Sequence, residues 1–191
     1  NHRCLVPIRW GGSALPPLYA LQGEQKQRYL DPIIDGTLHL CFAQTEPGGG
    51  GDPAGAINTH ARRTDRGWVI NGSKIWISSF ADADLVFVLA RTEQGNRAGG
   101  LSMFAVAKDN PGMIAREVPM LGTFKTHQLT FADCEVDELA LIGLEGSGFK
   151  SAQHTLSLAR IDVGARALAI SGRCIEMMIE HAKQRKVFGQ A

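Results

Sequence analysis

Three short stretches carry residue types that could do chemistry. The first is Phe42-Ala43-Gln44-Thr45-Glu46-Pro47, which runs straight into Gly48-Gly49-Gly50-Gly51-Asp52. A strand that enters four glycines leaves backbone N–H groups free to approach a ligand closely. It is not a P-loop, because no Gly-Lys-Ser/Thr follows, and the glycine spacing is not that of a dinucleotide fingerprint. A plain surface loop is the other reading of this stretch. The second is Trp76-Ile77-Ser78-Ser79. A period of two places Trp76 and Ser78 on the same side of a strand. An indole plane beside a hydroxyl donor suits a flat heteroaromatic ring with an acceptor nitrogen, although a strand tryptophan is more often a core residue. The third is Gln184-Arg185-Lys186-Val187-Phe188-Gly189, with cations closing a long helical pattern. Dipole complementation accounts for them; a phosphate-binding arginine beside an aromatic ring is the alternative.

The remaining candidates read more blandly. His39, His60, His127, His154 and His181 show no H-x-x-x-H spacing, so no metal site is expected. Glu46 and Asp52 flank the glycines as a carboxylate pair might in acid–base catalysis, yet capping turns or accepting backbone N–H groups is the commoner use. Met177-Met178 reads as helix packing. Cys4, Cys41, Cys134 and Cys174 lie far apart without C-x-x-C spacing and read as buried thiols in a reducing compartment.

The elements that must position these residues fall into three zones. Residues 1–36 look helical: Leu18, Leu21, Gln25, Arg28 and Tyr29 recur at helical spacing, and Asp31-Pro32 is expected to close the helix. Residues 37–146 change period. Short β-rich runs cover 38–43, 56–64, 68–70, 74–78, 85–91, 101–107, 113–118 and 128–131, separated by the turn signals Asp65-Arg66-Gly67, Asn71-Gly72, Gly95-Asn96 and Asn110-Pro111-Gly112. Strand follows strand without intervening helices, which predicts an α+β chain with an antiparallel barrel or sandwich in the middle. Residues 147–191 hold one long helix that is apolar around most of its circumference, with Phe149, Leu156, Ile161, Leu168, Ile175 and Met178 on one stripe and Leu158, Val163 and Ile170 off it. Such a helix needs several neighbours, so further helices of a bundle are expected from absent sequence or other subunits. The chain opens with Asn1 and stops after Gln190-Ala191, which reads as part of a longer protein.

Composition excludes several function classes. The 191 residues are 44% apolar and 20% charged, with a formal net charge of +1. That balance gives no electrostatic footprint for nucleic acid, and no eighteen-residue apolar run offers a membrane span. Glycine, at 22 residues, is about 12% of the chain against roughly 7% in average proteins, and points to tight turns and close backbone approaches.

In order and spacing, five segments resemble the acyl-CoA dehydrogenase family. They are Phe42–Pro47 with its glycine-rich sequel, Gly67–Ser78, Thr126–Asp133, Gly146–Lys150 and Gln184–Gly189. The resemblance runs from about residue 18 to the end. It implies the end of an N-terminal helical domain (1–36), a complete β-domain (37–146) and the first helix of a C-terminal four-helix bundle (147–191). It also implies FAD as cofactor and α,β-desaturation of an acyl-CoA, with hydride passing to the flavin N5 position. Under this resemblance Phe42, the main chain near Gln44 and the Thr45 hydroxyl line the flavin and bind its pyrimidine edge. Trp76 and Ile77 pack beside the ring, and the Ser78 hydroxyl faces N5. Arg185 reaches the FAD pyrophosphate of a neighbouring subunit, with Phe188 near the adenine. Ser157, Leu158, Ala159 and Arg160 meet acyl-CoA.

Two positions depart from the family pattern. Gly51 stands where the family commonly has a serine that helps bind flavin or CoA phosphate. Ala159 stands where one branch keeps its catalytic glutamate, so no catalytic residue is expected in this chain and the base is expected beyond Ala191. Implied partners are acyl-CoA, an electron-transferring flavoprotein and further copies in a dimer or tetramer; the implied compartment is bacterial cytoplasm or mitochondrial matrix. An acyl-CoA oxidase or flavin monooxygenase on the same scaffold, or a non-catalytic binding module, are the alternative readings.

Overall fold

The computed structural model describes residues 16–93, 98–121 and 125–189. They form two compact units, one extending to Ala152 and the other from Gln153 onward. Cys4 and the Gly95-Asn96 turn lie outside the described residues.

The first unit is built on one sheet. Its strands are β1 (Leu40–Ala43), β2 (His60–Thr64), β3 (Gly67–Ser78), β4 (Leu85–Arg91), β5 (Leu101–Ala107), β6 (Met113–Val118), β7 (Thr126–Val136) and β8 (Leu141–Ile142). They run in the order β6-β7-β3-β2-β4-β5-β8, with β1 paired to β4 off this path. Most neighbours are antiparallel, as the sequence predicts, but β1 runs parallel to β4, and His60 of β2 pairs in parallel with Arg91. The expected α+β class holds, and the sheet of the expected barrel or sandwich is not closed into a barrel. The terminal strands β6 and β8 do not meet, and β8 is only two residues long, too short to carry a ladder onward.

The sheet folds over one core and covers a second. Ile70, Ile77, Leu129 and Phe131 of β3 and β7 face Val86, Val88, Phe104 and Val106 of β4 and β5 in the first cluster. On the other face Leu85, Phe87, Leu89 and Met103 pack with Leu18, Leu21, Tyr29, Phe149 and Ala152. Successive residues of β4 therefore alternate between two cores. This is why Leu85–Ala90 is a continuous apolar run rather than an alternating one.

The N-terminal zone departs from expectation at its proline. Short helical turns at Pro16–Ala20 and Lys26–Leu30 lead into α1 (Asp31–Ile34), so Asp31-Pro32 continues the helical path instead of closing it. The Lys26–Leu30 turn is π-type, and the Asp31 N–H reaches back five residues to the Lys26 carbonyl. Pro32 then stands in the first turn of α1, where a missing N–H is tolerated.

Two other strand boundaries shift. The run expected at 56–64 begins as α2 (Pro53–Ala56), capped where Asp52 accepts the Gly55 N–H at 3.1 Å, before β2 starts at His60. Asn71-Gly72, expected as a turn between two strands, lies inside the single twelve-residue β3. There the pairing with β7 shifts between Ile70 and Gly72. Asn71 clasps Asp133 across the irregularity, accepting its N–H at 2.8 Å and donating to its carboxylate at 3.1 Å. A glycine is required at 72 because an added Cβ would meet Thr59 Oγ1 at 2.5 Å, and its φ of +145° suits no other residue.

The long helix α3 (Gly148–Gln184) enters through a tight glycine: a Cβ on Gly148 would meet the Ser102 carbonyl carbon at 2.5 Å. From Gln153 it belongs to the second unit, where Ile161, Leu168, Ile170, Ile175 and Met178 are all exposed. Cys41 and Cys134 are buried as expected, and burial pushes their thiols up to about 12 and about 11. Cys174 is exposed, correcting its reading as a buried thiol, because it lies on this uncovered helix. Gly72→Ala is expected to cost about 2–4 kcal/mol, combining steric overlap with a disfavoured backbone angle. Gly172→Ala, with nothing within 4 Å of the new Cβ, is expected to stabilise by about 1 kcal/mol. Urea midpoints of the two variants check both signs.

Candidate functional site

The end of β1 and the end of β3 are tied together by backbone. The chain leaves the sheet after Ala43, and the Thr45 carbonyl accepts the Ile75 N–H at 2.9 Å. Thr45 is thereby held one residue from Trp76.

At that point β3 bulges. Lys74 pairs with Leu129 and Ile77 with His127, so three steps on β3 match two on β7. The extra residue is absorbed by Trp76, whose φ is +64°, an unusual angle for a bulky side chain. Ser79 follows at φ +62°. The backbone between them is pinned by Ile77, which is 2% exposed and part of the first core. Trp76 is 52% exposed and Ser78 is also open to solvent. The indole and hydroxyl thus flank a buried isoleucine, and Trp76 is not a core residue.

Beneath this edge sits a charge pair. Lys74 is 0% exposed; its ammonium donates to Glu46 Oε1 at 2.8 Å and to the Gln44 carbonyl oxygen at 3.1 Å. Glu46 also accepts the Asn58 N–H at 2.8 Å and the Thr59 N–H at 2.9 Å. Burial pushes the Lys74 ammonium down to about 8, opposed by Glu46, so the amine is still charged at neutral pH. Burial pushes the Glu46 carboxyl up, but the Lys74 charge and the hydrogen bonds from Lys74, Thr59 and Asn58 outweigh it and hold the group below its ordinary value. The carboxylate accepts backbone N–H groups, as its bland sequence reading has it. Nothing in the sequence marks Lys74 as buried: a period of two puts it on the side of Trp76 and Ser78, and only the shift in pairing between Lys74 and Ile77 separates their facing.

The glycine loop closes over a small hollow. The Gly49 N–H donates to the Glu46 carbonyl at 2.9 Å, and Arg91 donates to the Ala54 and Ile57 carbonyls at 2.8 and 3.2 Å. Gln44, Thr45, Glu46, Gly49, Gly50 and Ile57 are among the residues lining a space of about 30 Å³, enough for water but not for a ring. A flat ligand must therefore lie across the outside. Gln44 Oε1 is buried and has no hydrogen-bond partner among the described residues. Added Cβ atoms on Gly50 and Gly51 would meet nothing within 4 Å. An unpaired acceptor, the Thr45 and Ser78 hydroxyls, a half-exposed indole and open glycines suit a planar group with a polar edge, and FAD is such a group.

Gln44, Thr45, Trp76, Ile77 and Ser78 are thus brought together, and Gly51 lies exposed on the same loop. Ile77 can offer only its main chain, since its side chain is in the core. Phe42 is half-buried and packs against the second core. Ser157, Arg160, Arg185 and Phe188 lie in the second unit. The Ser157 hydroxyl donates to the Gln153 carbonyl at 2.9 Å within its own helix, and Arg160 is exposed. The Arg185 N–H reaches the His181 carbonyl at 2.9 Å, and Phe188 is fully exposed at φ +53°.

The β-domain and the helix that follows it match a class of known domains. The model for "Acyl-CoA dehydrogenase, middle domain" matches residues 41–134, and that for "Acyl-CoA dehydrogenase, C-terminal domain" matches residues 146–191. The chain belongs to the acyl-CoA dehydrogenase family. It is similar to the mouse (Mus musculus) mitochondrial short-chain specific acyl-CoA dehydrogenase, 36% identical over 99% of this chain and 44% of the relative. Butyryl-CoA dehydrogenase from Megasphaera elsdenii superposes with a TM-score of 0.84 at 34% identity, covering 93% of this chain and 47% of that one. PigA, solved with FAD and proline, superposes with a TM-score of 0.87 at 29% identity, covering 93% and 47%. The chain spans less than half the length of these relatives.

The charge pair generates a prediction with a defined sign. Glu46 lies below its ordinary value of 4.5 in the folded state, so its contribution is present above about pH 4.5 and is lost as pH falls through the lower folded value. Glu46→Gln strands a buried ammonium and is expected to cost about 3–5 kcal/mol at pH 7. It should also flatten the acid limb of the stability profile, read as urea unfolding between pH 7 and pH 3.

Proposed function

We propose that this chain supplies the flavin wall of an FAD-dependent acyl-CoA dehydrogenase that desaturates short acyl-CoA thioesters between Cα and Cβ. The observation that carries the reading is the Thr45–Ile75 backbone bond, which sets the Gln44–Thr45 segment beside the exposed indole of the Trp76 bulge. Likeness to short-chain specific and butyryl-CoA dehydrogenases supports the substrate class.

FAD, when bound, supplies the acceptor for the hydride leaving Cβ. The residues of this chain bind and orient. Gln44 and Thr45 hold the polar edge of the ring system, Trp76 covers its flank, and the Ser78 hydroxyl donates beside the reacting atom. Arg185 and Phe188 are assigned to the pyrophosphate and adenine end of FAD in a neighbouring copy. Ser157 and Arg160 are assigned to the thioester substrate, Arg160 by its charge and Ser157 by its hydroxyl, which donates to the Gln153 carbonyl and keeps oxygen lone pairs to accept with. Ala159 cannot abstract a proton, so the base is assigned to the helical bundle of the whole protein. The apolar side chains exposed around α3 support its burial by that bundle and by further copies of the chain. An electron-transferring flavoprotein fits as the acceptor, in either a bacterial or a mitochondrial setting, given relatives of both origins.

The whole protein, loaded with flavin and carrying its helical bundle, should bleach at its visible band when mixed anaerobically with butyryl-CoA, whereas this chain alone, lacking the base, should not. A protein that takes up no FAD, or one that releases peroxide in stoichiometric turnover, would overturn the dehydrogenase reading. Ser78→Ala is expected to slow that bleaching about tenfold, the loss of roughly one hydrogen bond in the transition state; an unchanged rate refutes its role. Because Gly51 has open space at its Cβ, Gly51→Ser should fold normally and retain FAD a few-fold more tightly, measured by flavin release on dilution.

A further inference from the structure

We propose that Lys74 is a positioning residue for the flavin: its buried ammonium, donating to the Gln44 carbonyl oxygen, polarises the Gln44–Thr45 peptide so that the Thr45 N–H becomes a strengthened donor to the flavin's pyrimidine edge. The inference rests on the FAD reading above.

The chain of atoms is short. The Gln44 carbonyl and the Thr45 N–H belong to one amide, so density drawn toward the oxygen makes the N–H more acidic. Linked hydrogen bonds strengthen one another by roughly 10–30% each. The cation sits 3.1 Å from the carbonyl oxygen and is wholly shielded from solvent. Its field is therefore screened far less than that of a surface lysine.

The direction of the N–H is also fixed. On one side Lys74 holds the Gln44 oxygen; on the other the Ile75 N–H holds the Thr45 oxygen at 2.9 Å. Consecutive residues of β3 thus grip consecutive carbonyls, and the Thr45 N–H lies between the two grips. Glu46, fixed by Thr59 and Asn58, keeps the ammonium from swinging away. An uncharged pair of similar volume can fill such a space at comparable stability. Net stability therefore does not call for a cation here; beyond holding the loop in register, the charge has a use at a ligand-facing peptide.

Lys74→Met combined with Glu46→Gln removes both charges and keeps the volume. Relative to the flavin-loaded wild type, this double variant is expected to bind reduced FAD about tenfold more weakly than it binds oxidised FAD. That corresponds to a midpoint potential lower by about 30 mV for a two-electron couple, with a melting temperature near that of the wild type. A folded, FAD-binding double variant with an unchanged potential overturns the proposal. A second measurement needs no folded double variant. In wild-type protein labelled with 15N-threonine, the Thr45 amide, identified by its loss in Thr45→Ser, should move downfield when FAD is added and again when dithionite reduces it. An amide proton that stays in place overturns the proposal even where FAD is bound. A wild type that purifies colourless and takes up no FAD is a different result: it removes the flavin reading and this inference with it.

Discussion

A buried contact between one ammonium and one carboxylate holds the candidate wall in register. Lys74 belongs to the sheet and Glu46 to the loop that follows β1, so their 2.8 Å contact joins two segments that the strand ladder leaves unconnected. Taking both charges out of water costs several kcal/mol per ion, and the mutual attraction offsets this only if the remaining donors and acceptors are used. Here they are: the carboxylate takes two backbone N–H groups and the ammonium a backbone carbonyl. Such a pair adds little net stability over an apolar one. It adds a requirement for one geometry, since any slip of the loop along β3 would strand a charge in the core.

That requirement explains how strain can persist two residues away. Trp76 and Ser79 both hold positive φ, at about 1–3 kcal/mol each. Relaxing either would withdraw Ile77 or Phe80 from the core, where both are buried. Phe80 is further held by the His127 ring, with centroids 5.0 Å apart, and by the Lys108 ammonium 5.2 Å from its centroid. Strain on the outer face is therefore offset by burial on the inner face of the same four residues. The indole and the Ser78 hydroxyl are presented with little freedom to turn inward, and a rigid wall loses less entropy when a flat ligand settles on it.

How much of this was legible in the sequence follows from the range of the forces involved. The apolar runs of β4 and β5 announce their burial directly, and the residues that make up the wall stand out by type and spacing. Asn71-Gly72 misleads because a turn signal is local, whereas its use is decided by β7, whose Phe131 pairs with Gly72 and whose Asp133 clasps Asn71. Pro32 misleads for a related reason, since it falls in the first turn of α1, where its missing N–H is tolerated. The parallel β1–β4 pairing and the two-residue β8 carry no short-range signal at all. Lys74 was not legible, because the period of two groups it with Trp76 and Ser78, and the bulge that separates their facing is set by pairing with β7.

The distribution of unpaired polar groups separates wall from core. Buried polar atoms in folded proteins are nearly always hydrogen-bonded, and each exception costs about 1–3 kcal/mol. Among the described residues the buried side-chain atoms without a partner are Gln44 Oε1, Trp68 Nε1 and His127 Nδ1. Trp68 is enclosed by the first core, where its ring meets Phe104 edge-on at 5.2 Å, and His127 is packed on Phe80; both gain ring contacts that offset the missing bond. Gln44 has no such compensation. It lines the small hollow beneath the glycine loop, beside a peptide whose carbonyl is already held by a cation. An acceptor left open at that point is costly in the chain by itself, and the hollow is large enough for a water to bring the missing donor.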